Sequence, residues 1–310
     1  MTALETAKDI AQKIMEYPYY VDLNNDKVDG LAKEIKKCTV PAYQWPLPDI
    51  NLSSDPNMAN VQIIFYELVA SSVNYKYWYG KPLIRPNDSN AVKMYETLDK
   101  AFKQITPITP GDLKDAYCSA VIETFMRLLT EERFPMISER TNHLKELLEP
   151  CTHFPSNLRG THFSRWLNAE IGIIEPNLDI LMNELLVLFP GFAQDIFLKR
   201  ASLFFMQLYR RKGWLKEEIN KLVLPADYHI PNILRYFGCI SYPPGVRNDL
   251  WEYKLVPEGS VLECEIRAAV IMVAEKMKEK GVNPVQLDDY LWAKKKLATT
   301  PFHLTITTNY

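Results

Sequence analysis

FPGFAQDIFLKRASLFF at residues 189–205 and LPADYHIPNILRYFGCISY at residues 224–242 decide how this chain is read. The first opens on a tight Pro190-Gly191 turn and runs into a helix whose first turn carries Lys199 and Arg200. The second sets Asp227 just ahead of an apolar-periodic helix, with Tyr228 and His229 beside it. An amine and a carboxylate therefore stand at the starts of two helices. The helix dipole favours an anion such as Asp227 at that position and disfavours a cation such as Lys199. A local conflict of this kind is more typical of a site than of a surface.

Outward from these segments the apolar spacing is helical almost throughout. Helices are expected over 3–17, 25–37, 57–74, 90–104, 110–129, 138–149, 175–188, 196–211, 226–238, 259–279 and 284–295. Pro110 after Thr109 and Pro284 after Asn283 suit the first position of a helix, where the missing N–H is not needed. Proline and glycine cluster between helices in AYQWPLPDI, YGKPLIRPND and SYPPGVRNDL. The ending FHLTITTNY alternates and is expected to form a short edge strand. The expected class is mainly α, with at most a few short strands. One multi-helix domain over 1–310 is expected, or two packed lobes over about 1–150 and 151–310.

Composition excludes several classes. The 310 residues are 47% apolar with a formal net charge of −2. A chain of this size buries roughly 75% of its unfolded surface and needs no staples. A duplex-binding face would need a block of Lys and Arg. The longest mixed run, LYRRKGWLKEE at 208–218, alternates in sign and reads as a solvated helix end. Cys38, Cys118, Cys151, Cys239 and Cys264 are scattered without CxxC spacing. They read as reduced thiols in a cytosolic compartment and argue against an iron–sulfur cluster or structural zinc. MTALETAKDIAQKIMEY is an amphipathic helix of mixed charge, unlike a targeting peptide, and no stretch approaches a membrane span. No Walker loop, GxGxxG, HExxH or Ser-His-Asp arrangement is present.

The Pro-Gly turn, the lysine on the next helix and the aspartate ahead of a later one resemble the helix-hairpin-helix DNA glycosylases, though the hairpin lacks their second glycine. A resemblance to the queuosine salvage protein family covers nearly the whole chain. VQIIFYELVASSVNYKYW (61–78), PIT (107–109), FPMISER (134–140), LFPGFAQD (188–195) and LKRA (198–201) carry it first. ADYHIPNILRYFG (226–238), ECEIR (263–267), LDDYLW (287–292) and PFHLTITTNY (301–310) follow in order. Ser71 and Gln207 stand where that family's pattern has acidic residues. The resemblance implies a metal-independent, cofactor-free cytoplasmic enzyme that hydrolyses the N-glycosidic bond of queuosine 5′-monophosphate. It would release the 7-deazaguanine base queuine for return to tRNA, acting as a monomer without a membrane or a stable nucleic-acid complex.

The residues fit that chemistry. Glycosidic cleavage passes through an oxocarbenium-like sugar, which a fixed carboxylate stabilises. Asp227 is the candidate, as cation stabiliser or as general base for water. It reads equally as a plain N-cap, worth about 1 kcal/mol. Lys199 would act through its charge or as an amine nucleophile. Asn74, Tyr75 and Trp78 crowd a helix end and could hold a flat base, or be core. Tyr228 adjoins Asp227; Trp292 and Phe302 fit core or pocket. Arg267 is a candidate phosphate ligand or a buried ion pair with Glu263 or Glu265. His303 is a candidate pocket residue or a structural histidine. Two other readings stand beside the hydrolase: a helix-hairpin-helix DNA glycosylase, and a catalytically inactive nucleotide-binding module.

Overall fold

The computed structural model describes residues 1–38, 45, 47–79, 90–105, 116–152 and 177–310. Thr2 closes a capping box with Glu5 on α1 (Ala3–Ile14), and Asn24 caps α2 (Asn25–Lys37). Then come α3 (Pro56–Ser72), α4 (Asn90–Lys103), α5 (Ala116–Leu128) and α6 (Ile137–Thr152). Asn177 caps α7 (Leu178–Leu188), which ends in a short 3-10 turn at Pro190–Phe192. After α8 (Lys199–Lys212) and α9 (His229–Tyr236) the chain forms α10 (Pro244–Trp251). Ser260 caps α11 (Val261–Glu279), and Asn283 with Gln286 forms a capping box on α12 (Pro284–Lys294). Each such cap satisfies amides that the first turn leaves unbonded.

Two hydrophobic cores explain why α11 is buried along most of its length. One gathers side chains of α1 and α3 to α8 and reaches Ala268 and Ile271. The other gathers α2, α9, α10 and α12 around Ile266, Ala269, Val270 and Val273. An all-round apolar helix needs cover on every side, and α11 has a core on each. α1 lies along it, and α3 packs against α8. Among the described residues no helix is long and apolar enough to cross a membrane.

The fold is mainly α, as expected, with four differences in detail. SYPPGVRNDL, read as a connection, contains α10, because Pro244 occupies the first helical position where proline is tolerated. The C-terminal residues make one isolated parallel bridge, Leu255 to Leu304, in place of an edge strand. The strand pair that does form is β1 (Asp22–Leu23) with β2 (Ile240–Ser241), antiparallel and too short for alternation to announce it. The run at 208–218 is not simply a solvated end. Arg210 pairs with Asp288 and Asp289, and Arg211 with buried Glu67. Residues 107–115, with the PIT segment and the start expected for the fifth helix, lie outside the described residues.

Candidate active site

The conflict at Lys199 resolves through a second helix. α3 ends at Ser72, and the last carbonyls of any helix have no partner within it. Three buried cations supply the partners here. Arg200 Nη1 donates to Ser72 O at 2.5 Å, and Arg140 donates to the carbonyls of Val73, Tyr75 and Lys76. Lys199 Nζ donates to Asn74 O and Asn74 Oδ1, both at 2.8 Å. The amine that is misplaced at the start of α8 thus sits beyond the end of α3, where the dipole favours a cation.

Asp227 caps α9. Its Oδ1 accepts from His229 N at 2.7 Å and Ile230 N at 2.9 Å. No hydrogen bond engages Oδ2 among the described residues, which leaves that oxygen for a reacting group. Lys199 is 3% exposed and Asp227 7%. Burial lowers the Lys199 pKa to about 8, and of the nearby charges Asp227 acts most strongly to hold the proton on. One oxygen of Asp227 therefore serves the start of α9 while the other is unengaged among the described residues.

One buried arginine joins the two helix starts. Asp195 caps α8, accepting from Phe197 N and Lys199 N at 3.0 and 2.8 Å. Arg267 Nη2 donates to both oxygens of Asp195 at 2.8 and 2.7 Å, and its Nε donates to Ala226 O at 3.0 Å. The residue before Asp227 and the cap of Lys199's helix are thus held by one guanidinium. Burial opposes its charge, but Asp195 and Glu263 outweigh that and raise its pKa.

Aromatic rings flank Asp227. Tyr228 lies 4.7 Å from Phe302 and 4.5 Å from His229, centroid to centroid. His229 meets Trp292 edge-on at 5.3 Å, and Trp292 meets Trp45 at 5.3 Å. Arg210 covers the Trp45 ring at 4.9 Å. Trp78 joins Tyr228, Leu304 and Tyr310 in a separate small cluster.

Residues 181–310 match the queuosine salvage protein family. Over 96% of its length the chain is 25% identical to the queuosine 5′-phosphate N-glycosylase/hydrolase of Sphaerobacter thermophilus, of which it covers 96%. It is 24% identical to the protein of that name from Dictyostelium discoideum, with both chains covered in full. The Schizosaccharomyces pombe protein of the same name is 31% identical over 24% of this chain and 23% of its own.

The segment matching the queuosine salvage proteins holds Lys199, Asp227, Tyr228, Arg267, Trp292 and His303; Asn74, Tyr75 and Trp78 precede it. The structure brings Asn74, Lys199 and Asp227 together and sets Tyr228 and Trp292 beside them. Three residues take other places. Tyr75 lies between the guanidinium groups of Arg140 and Arg200, at 4.4 and 5.4 Å, as part of the clamp on α3. Arg267 has its donors committed to Asp195, Glu263 and Ala226 and so serves the scaffold before any phosphate. Glu265 is not its partner, since it accepts the amides of Tyr19, Tyr20 and Val21. His303 is buried against Tyr310 Oη at 3.1 Å, and burial with the nearby Arg267 lowers its pKa to about 3.

The Pro190-Gly191 turn also departs from a DNA-docking hairpin. Gly191 and Phe192 are buried, and the amides of Phe192 and Ala193 bond to the carbonyls of Phe189 and Pro190. Sequence reasoning missed Asp195, Arg200 and Trp45 as parts of the site, and left Arg140 and His229 unassigned. Among the described residues no group of three His, Cys, Asp or Glu could hold a metal ion.

Proposed function

We propose that this chain hydrolyses the N-glycosidic bond of queuosine 5′-monophosphate and releases the 7-deazaguanine base queuine. The observation that carries the reading is the buried carboxylate of Asp227, its Oδ2 unengaged among the described residues, within electrostatic reach of the buried Lys199 amine. The names of the full-length relatives support the substrate. As the bond between C1′ and N9 breaks, its electron pair leaves with the base and C1′ becomes oxocarbenium-like. Asp227 Oδ2 stabilises that cation and takes one proton from the water whose oxygen bonds to C1′. The same proton balance is completed at N9 of the departing base, because a 7-deazapurine has no N7 to accept it. Lys199, held by Asn74, acts on Asp227 and the reacting sugar through its charge. The enzyme acts as a monomer, without nucleic acid, in the cytoplasm, which suits the free thiols of Cys38, Cys118, Cys239 and Cys264.

The test is incubation with queuosine 5′-monophosphate, queuosine and guanosine 5′-monophosphate, followed by chromatography for free base. Queuine from the monophosphate is the expected product, and no base from any of the three overturns the proposal. Asp227→Asn is the informative variant, because asparagine caps a helix as well as aspartate does while removing the charge. Its turnover should fall by about 10²–10⁴-fold with little change in melting temperature.

A further inference from the structure

A row of buried polar atoms that have no partner among the described residues runs along the two helices that carry the site. Asn74 and Lys199 tie α3 to α8 at one end, and Glu67 and Arg211 tie them at 2.8 Å at the other, so the helices pack antiparallel. Ser71 stands one turn before Asn74 on α3, and Gln207 two turns beyond Lys199 on α8, so both fall between the ties on the facing stripes. Ser71 is 1% exposed and Gln207 0%. Among the described residues, neither Oε1 nor Nε2 of Gln207 has a hydrogen-bond partner, nor does Ser71 Oγ. Glu67 Oε2, Arg210 Nη1 and Asp288 Oδ1 are likewise buried and unpartnered.

A fold has no use for such a row. Leaving one buried amide unbonded weakens a protein several-fold or more in its folding equilibrium, and folded chains hold few such groups. Apart from Asp288 on α12, the row lies on α8, which begins at Lys199, and on α3, which ends just before Asn74. One turn on from Gln207, Arg210 holds Asp288 and covers Trp45, which meets Trp292. Gln207 offers a donor and an acceptor side by side, the pair that the edge of a flat base requires.

We propose that Gln207 reads the lactam edge of a guanine-type base. Nε2–H donates to the base C6=O while Oε1 accepts from the base N1–H. The assignment rests on the function proposed above and supplies its missing contact to the leaving base. When the bond between C1′ and N9 breaks, the electron pair spreads from N9 through the ring to O6, where the Gln207 donor meets it.

The experiment uses free bases, so that it does not depend on turnover. Quenching of tryptophan fluorescence is titrated with 7-deazaguanine and with 2-amino-7-deazapurine, which lacks both the C6 oxygen and the N1 hydrogen. The full chain should bind 7-deazaguanine at least about tenfold more tightly, since the analogue leaves the amide unbonded. In Gln207→Met the ratio should fall towards one, while the melting temperature holds or rises because an unpartnered buried amide has been removed. Three results overturn the assignment: no saturable quenching by 7-deazaguanine up to ~1 mM, equal affinity for the two bases in the unaltered chain, or an unchanged ratio in Gln207→Met. Base release from queuosine 5′-monophosphate, measured in parallel, tests the function separately. Turnover with equal affinity for the two bases keeps the function and removes Gln207 from it.

Discussion

Lys199 shows how one residue can look misplaced in its own helix and be well placed in the fold. At the start of α8 its charge opposes the dipole, yet its two hydrogen bonds put it at the end of α3. Burial brings its pKa down to about 8 from an ordinary 10.5. If the amine acts by charge, the protonated form is the active one, and kcat should fall as pH rises through about 8. Stability responds to this group in the opposite sense. The unfolded chain holds the proton more tightly, so this group adds stability as pH rises from about 8 towards 10.5. A pH–rate profile that falls above 8 while the melting temperature is maintained is the expected signature, and borohydride added during turnover should trap no adduct. A trapped adduct would instead make Lys199 a nucleophile. Asp227, Lys199 and Asn74 were legible in the sequence because polar groups at helix ends stand out against apolar periodicity. Arg140 and Arg200 were not, since their carbonyl partners lie as far as 67 and 128 residues away along the chain.

Among the elements, the relation of α8 to α9 matters most, and Arg267 on α11 fixes it. Its partners are the Asp195 carboxylate that caps α8 and the Ala226 carbonyl that leads into α9. Arg267→Met should destabilise the fold by about 3–5 kcal/mol, because it leaves Asp195 buried and unpaired. The double variant Asp195→Asn with Arg267→Met should recover part of that loss, as urea unfolding of both proteins would show. Equal stabilities for the single and double variants would mean that the pair is not coupled. Arg267→Lys should not restore the wild-type value, since an ammonium cannot reproduce the paired contact to a carboxylate. The expected helices were found where apolar spacing and a cap agreed, as at Asn283-Pro284. α10 escaped because Pro-Pro-Gly is ordinarily turn chemistry, and only the packing of Val246 and Leu250 into the second core decides otherwise.

For the molecule as a whole, three histidines set the acid limit, His143 and His303 buried and His229 half-buried. Burial lowers His143 and His229 to about 4 and His303 to about 3, each from 6.5. The unfolded chain takes up these protons near 6.5 and the folded chain only well below it. Stability should therefore fall as pH drops from about 6.5 towards 3. Melting curves across that range check the sign, and His303→Gln should flatten the slope. A melting temperature constant down to pH 4 would contradict it.

The contact of α1 with α11 has a consequence in time. Leu4, Ala7 and Ala11 are covered by a helix that begins at Val261, and the amides of residues 19–21 wait for Glu265. At roughly 5–20 residues per second on the ribosome, the first helix made spends on the order of ten seconds or more without its partner. Its apolar stripe is then open to chaperones and to neighbouring nascent chains. A chain stalled before α11 emerges would leave that stripe without its main cover, so interrupted synthesis should expose it.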